Sequence, residues 1–222
     1  MLNKIKEKYL LVCSVIVLFM ILVVLVSGKK DVSYKKPTIN KEEIISLLDN
    51  IQDNYTLSIE ENLNNTITNY IYYNDSKIEL YEKENNNIGY LKYNDKLYSV
   101  SNEDYKLTEV SKIDFVSDEY YNVGFLKKVI DRCNFVYEDS NTVSCKIRKS
   151  EYYDIYNDIY NTDYGNEGSE QLDITIFYST KINSIKIDYT SNNDIKIYNL
   201  KFTNIGNTDF SSIFEYYKDK LK

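Results

Sequence analysis

The chain contains no histidine, tryptophan or alanine, one proline (Pro37) and two arginines (Arg132 and Arg148). Without histidine, every Ser-His or Cys-His triad and every imidazole-ligated metal centre is excluded. Basic charge is also scarce: 27 Lys+Arg stand against 34 Asp+Glu, a formal charge of −7, and the pI is near 4.9. Nucleic-acid binding needs a basic face for the phosphates, so that class is excluded too. Tyrosine (24 residues), asparagine, isoleucine and lysine fill the gap. That slant matches A/T-heavy codons, so a single missing residue type means less than it would in a balanced chain. With 43% apolar and 27% charged residues the chain is of folded, globular type. Its 222 residues suit one sizeable domain or two small ones.

Leu10 to Val26 (LLVCSVIVLFMILVVLV) carries no charge, and Lys8 and Lys29 bracket it with twenty residues between them. At about 1.5 Å per helical residue this crosses a roughly 30 Å hydrocarbon core. A cleaved signal peptide usually has a shorter apolar region and a small-residue cleavage site. Val26-Ser27-Gly28 is a poor site, so the segment reads as an uncleaved anchor. Cys13 lies near the start of the run, where lipid attachment is not expected. Lys4, Lys6 and Lys8 place the N-terminus in the cytoplasm, although Lys29, Lys30, Lys35 and Lys36 weaken the bias. The expected plan is a cytoplasmic tail at 1–8, an anchor at 9–27, a polar stalk at 28–39 and an extracytoplasmic domain at 40–222. So short a tail is not expected to signal inside the cell. Five lysines and one glutamate fall in residues 1–30, which leaves 22 basic and 33 acidic residues and a net charge of −11. Such a domain is expected to be repelled by anionic headgroups and wall polymers unless divalent cations intervene.

Cys133 and Cys145 flank the turn-formers Glu138 to Asn141. A three-residue loop at 138–140 would set the two cysteines opposite each other, within reach of a disulfide. An oxidising compartment favours that bond over two buried thiols.

Asn40 and Glu43 resemble a capping box, and Ile44, Ile45, Leu47, Leu48 and Ile51 follow at helical spacing, predicting a helix near 40–52. From Tyr55 the period is two. Tyr55/Leu57/Ile59, Ile67/Asn69/Ile71, Ile78/Leu80, Gly89 to Tyr93, Lys96 to Ser101 and Tyr105 to Glu109 predict a six-strand antiparallel meander. Residues 113–131 look helical in two pieces around Gly124, and Ser150 to Tyr160 predicts another helix. Leu172/Ile174/Ile176/Tyr178, Ile185/Ile187/Tyr189 and Ile195/Ile197/Asn199 predict half-buried antiparallel strands, and Ile213, Phe214, Tyr217 and Leu221 a closing helix near 211–221. The fold class is therefore α+β, a curved antiparallel sheet around helices.

This order, together with the ending KINSIKIDYTSNNDIKIYNLKFTNIG (Lys181 to Gly206), resembles the LolA/LppX-like superfamily of bacterial lipoprotein-carrier and lipid-binding domains. The resemblance covers about 40–210 and rests on element order rather than an invariant motif. It implies an unclosed β-barrel wrapped around apolar helices, and no catalytic residue. Members are typically soluble or lipid-modified; a transmembrane helix in their place favours a static, surface-held role over shuttling. A cavity of this type would be lined by Leu57, Ile59, Phe125, Leu126, Val129, Ile174, Ile176, Ile185, Ile187 and Ile197. It would take an acyl chain or other amphiphile by burying apolar area. Periodicity does not separate a lined cavity from a packed core.

Other chemistry has weaker support. Asp173, Asp188 and Asp194 fall at solvated strand or turn positions, and the acidic loop 161–170 misses EF-hand spacing, so neither paired-carboxylate hydrolysis nor a calcium site is expected. Adjacent tyrosines such as Tyr72-Tyr73 would point to opposite faces of a strand, as in ordinary packing. The leading expectation is a non-enzymatic, cofactor-free domain, held at the cell membrane by residues 10–26, that binds an amphiphile or envelope component. The alternative is a surface module that recognises a protein or glycan through exposed sheet and tyrosines.

Overall fold

The computed structural model describes residues 41–51, 54–75, 77–86, 88–101, 103, 106–112, 122–163, 165, 170–191, 194–208, 210 and 217. The anchor, the stalk, Asn40, the helical piece at 113–121 and the closing helix, apart from Tyr217, lie outside the described residues. No helix among the described residues is long and apolar enough to cross a membrane.

Eleven strands form one antiparallel sheet: β1 (Tyr55–Leu63), β2 (Thr66–Asn74), β3 (Ile78–Lys83), β4 (Ile88–Tyr93), β5 (Lys96–Ser101), β6 (Leu107–Val110), β7 (Asn134–Asp139), β8 (Thr142–Arg148), β9 (Gln171–Tyr178), β10 (Ile182–Asp188) and β11 (Lys196–Thr203). The spatial order is β6-β5-β4-β3-β2-β1-β11-β10-β9-β8-β7. The six-strand meander is present as expected, and β6 and β7 remain as open edges, so the sheet is unclosed. Every ladder joins neighbours in sequence except β1 with β11, which seams the two halves from Thr56↔Thr203 to Leu63↔Lys196.

In this glycine-poor chain asparagine makes the tight turns. Asn64 and Asn65 (φ 50° and 67°) join β1 to β2, and Asn94 and Asp95 (φ 49° and 60°) join β4 to β5. Two consecutive left-handed residues match the twist of the flanking strands, and Asn and Asp tolerate that region best after glycine.

Three helices pack on one face of the sheet: α1 (Lys41–Asp49), α2 (Val123–Arg132) and α3 (Lys149–Tyr160). In α2, Phe125, Leu126, Val129 and Ile130 fall on one stripe and are buried. Asn122 caps its first turn by accepting a hydrogen bond from the Phe125 N–H at 3.0 Å. Ion pairs Lys127–Asp49 and Lys128–Asp158 tie α2 to α1 and to α3. Beneath them Phe125 meets Tyr152 edge-on at 5.2 Å, and Tyr152 meets Tyr189 at 5.6 Å. Much of the tyrosine content is thus packed aromatic core.

The other face carries a second, smaller core. Leu80, Leu91, Val100 and Tyr217 are fully buried there, with Tyr73 and Phe210 stacked beside them at 6.0 Å. In β2 to β4 adjacent residues therefore serve opposite cores: Tyr72 and Tyr73, Leu80 and Tyr81, Tyr90 and Leu91.

The β7–β8 hairpin differs from the sequence reading. Asp139 pairs with Thr142, so the turn is Ser140-Asn141 rather than 138–140, and a bulge between Phe135 and Tyr137 shifts the register until Phe135, not Cys133, faces Cys145. Cys133 stands before β7 as the C-cap of α2, its N–H donating to the Val129 and Ile130 carbonyls. The two cysteines are buried free thiols. They nonetheless lie within hydrogen-bonding reach, and burial, followed by this contact with Cys133, holds the Cys145 thiol far above its ordinary pKa.

Candidate functional site

Nine of the ten apolar candidates come together in one cluster on the helix side. Leu57, Ile59, Phe125, Leu126, Val129, Ile174, Ile176, Ile185 and Ile187 are each at most 2% exposed, among the tyrosines of the sheet and the helices. Side chains around a ligand-sized void keep surface that water can touch; these keep almost none, as in a filled core. Ile197 is placed apart. On β11 the residues that enter the core are Tyr198, Leu200 and Phe202, so Ile197, Asn199 and Lys201 occupy the opposite face.

Open volume lies on that opposite face. A groove of about 600 Å³ is lined by Ser58, Ile59 and Glu60, by Asn69, Tyr70 and Ile71, by Glu82, Lys83 and Glu84, and by Asn86, Ile88, Gly89, Asn199 and Lys201. Strand alternation sorts these residues. Ile59 and Tyr70 belong to the helix-side core, and the Lys83 ammonium lies over the Tyr70 ring on that same side, 5.7 Å from its centroid. The middle residue of each triplet thus meets the groove through its main chain, and the flanking residues supply the side chains.

Those side chains stand in two rows across the sheet. Register places Lys201, Ser58, Ile71 and Glu82 opposite one another on β11, β1, β2 and β3. The second row, two residues along, is Asn199, Glu60, Asn69 and Glu84. Glu84 follows β3 and donates its main-chain N–H to the Asn69 carbonyl at 2.9 Å. Rows two residues apart on a strand are separated by about 7 Å, and four strands span roughly 14 Å. The second row is internally ordered: the Asn199 amide donates to Glu60 Oε1 at 2.7 Å, and the Asn69 amide donates to Glu84 Oε2. Each carboxylate is held by a neutral amide and keeps its second oxygen as an acceptor. At the β4 end Gly89 supplies no side chain. A Cβ there would sit 3.1 Å from the Tyr81 carbonyl oxygen and 3.2 Å from Val100 Cγ2, so the close approach of strands favours glycine.

A smaller hollow of about 240 Å³ is lined by Lys149, Glu170, Gln171, Leu172, Tyr189, Thr190 and Ser191, with Lys149 and Glu170 paired at 3.2 Å. Among the described residues no group of three or more His, Cys, Asp or Glu side chains is placed to hold a metal ion.

Sequence reasoning missed the groove because its residues occupy the polar alternate positions, which read as a solvated face. The usable signal was Asn69 and Asn199, each flanked two residues away by a groove side chain on its own strand.

No protein-family model and no curated protein matches the chain. Among solved structures, a DUF1329 family protein from Desulfovibrio piger is similar over 82% of this chain and 97% of its own, at 10% identity and a TM-score of 0.32. A likeness at that score assigns no function.

Proposed function

We propose that the chain is a membrane-held, extracytoplasmic, non-enzymatic binding domain whose ligand lies in the sheet groove. The observation that carries this is the groove itself: about 600 Å³ of open volume over two rows of side chains, one of them ordered by amide-to-carboxylate hydrogen bonds. Ligand sites are concave, few per protein and fitted with a small set of placed polar groups. Membrane attachment rests on the uncharged run 10–26 and its flanking lysines. Of the two ligand readings that the sequence offers, an open groove on the sheet face favours the surface recognition module; a cavity of lipid-carrier type would need room among the filled apolar residues on the helix side. Export carries with it oxidation of the neighbouring Cys133 and Cys145 thiols to a disulfide.

Hydroxyl-radical footprinting tests the site in the native envelope. Ile71 lines the groove, whereas Ile67, 60% exposed, lies outside it and projects from the same face. The expected result is that Ile71 oxidises several-fold more slowly in the envelope than in the purified chain, with Ile67 unchanged. Equal oxidation of Ile71 in both settings would remove the groove as the site.

A further inference from the structure

We infer that the groove takes a neutral, polyhydroxylated chain, an oligosaccharide; this rests on the groove being the binding site. Its two rows offer a particular set of partners. Glu60, Glu82 and Glu84 accept hydrogen bonds, Lys201 donates, and Ser58, Asn69 and Asn199 do both. In the second row donors and acceptors alternate at strand spacing, about 5 Å. A ligand that satisfies such a set needs groups that both donate and accept at short, regular intervals, and hydroxyls on a sugar chain provide them. Other chemistries fit less well. An anion meets three carboxylates, a polycation leaves the donors of Lys201, Asn69 and Asn199 without acceptors, and an acyl chain buries carboxylates to which it offers no hydrogen bond.

Ile71 has a place in the sugar reading, since it offers the C–H face of a ring one apolar contact between the polar neighbours Ser58 and Glu82. The amide-to-carboxylate bonds Asn199→Glu60 and Asn69→Glu84 fix the acceptors before the ligand arrives, which lowers the ordering cost of binding. Since Glu60 and Glu84 are oriented by neutral amides, their second oxygens accept from hydroxyls without requiring a charged ligand.

The test uses the full chain in lipid nanodiscs and saturation-transfer NMR with four probes: chitohexaose, cellohexaose, hexalysine and lauric acid. The expected result is transfer to at least one hexasaccharide. Asn69→Ala and Asn199→Ala should each weaken it at least tenfold, Ser58→Trp should abolish it by filling the groove, and Lys128→Ala on the distant α2 should leave it unchanged. Far-UV circular dichroism establishes that each variant is folded, and the two alanine variants carry the test if Ser58→Trp is not. If hexalysine or lauric acid binds in a Ser58→Trp-sensitive manner while the sugars do not, the groove stands as a binding site and the sugar assignment falls. If no probe responds to Ser58→Trp or to the alanine variants, the sugar assignment falls, and the footprint of Ile71 in the envelope decides separately whether the groove is the site.

Discussion

Tyr70 is the side chain whose environment most plainly predicts a pH effect. Its hydroxyl donates to Glu61 Oε2 at 2.9 Å, and its pKa is pushed up to about 12, by burial first and then by the bond to Glu61 and its charge. The unfolded phenol ionises near 10, so the folded form holds its proton longer. The resulting stability is complete below pH 10 and is lost as pH rises from 10 to about 12. Urea titrations across that window should show Tyr70→Phe falling less steeply than the parent chain; parallel slopes would remove Tyr70 as the cause. The cysteines carry a second expectation. Material exported through an oxidising route should show one free thiol, Cys13, rather than three, and three again after reduction; three before reduction would exclude the bond. Residue by residue, the sequence was readable where one face of a strand was apolar, as at Leu57, Ile174 and Ile187. It misled at Ile197 and Ile71, where isoleucine occupies the groove face and tyrosines (Tyr198, Tyr70, Tyr72) enter the core. A tyrosine's ring is as apolar as isoleucine and its hydroxyl needs only an edge, so alternation alone does not rank the two.

At the scale of elements, α2 shows how a short helix is held. It has no acidic residue in its first turn and one basic residue in its last, so the dipole is weakly served and the Asn122 cap matters more. Asn122→Ala should cost about 1 kcal/mol in urea melts. Gly124→Ala is informative beside it, because the added Cβ would stand 3.1 Å from the Asn122 Oδ1. In the Asn122→Ala background the substitution should recover roughly 0.5–1 kcal/mol through helix propensity, and in the parent chain clearly less. Equal gains in both backgrounds would show that the cap yields without cost. The helices α1 and α3 and the six-strand meander were legible from spacing and turn residues. The β7–β8 turn was not. Glu138, Asp139, Ser140 and Asn141 are all turn-formers, so composition located the hairpin but left its register to the bulge at Val136 and to pairing of β8 with β9.

Across the whole molecule the sheet has two sides with different tasks. Helices cover one face, while the other is divided along the strand axis into a small core under Phe210 and Tyr217 and the open groove. Pattern reading assumes one wet face, and this division breaks the assumption: Leu80 and Tyr81 are both fully needed inside, and the groove looks like surface. Tyr217 closes the small core and donates its hydroxyl to the Ser101 carbonyl at 3.1 Å. Tyr217→Phe should therefore cost about 1 kcal/mol, and Tyr217→Ala about 3–5 kcal/mol, read as shifts of the urea midpoint. Near-zero values for Tyr217→Ala would mean that the second core contributes little to the global transition. The sequence held no sign of which strands meet at the middle of the sheet, because β1 and β11 are some 140 residues apart and each is satisfied by a local hairpin partner.

That single seam has a consequence for how the chain can be divided. All other ladders are local to β1–β6 or to β7–β11, so a cut between Val110 and Asn122 severs no strand pairing among the described residues. The two pieces should behave as a split protein: weakly ordered apart, and reassembling through the β1–β11 edge when mixed. Proline at Glu60 or Asn199, which face each other across the seam and turn their main-chain N–H groups into it, should prevent that complementation while leaving the hairpins on either side to form.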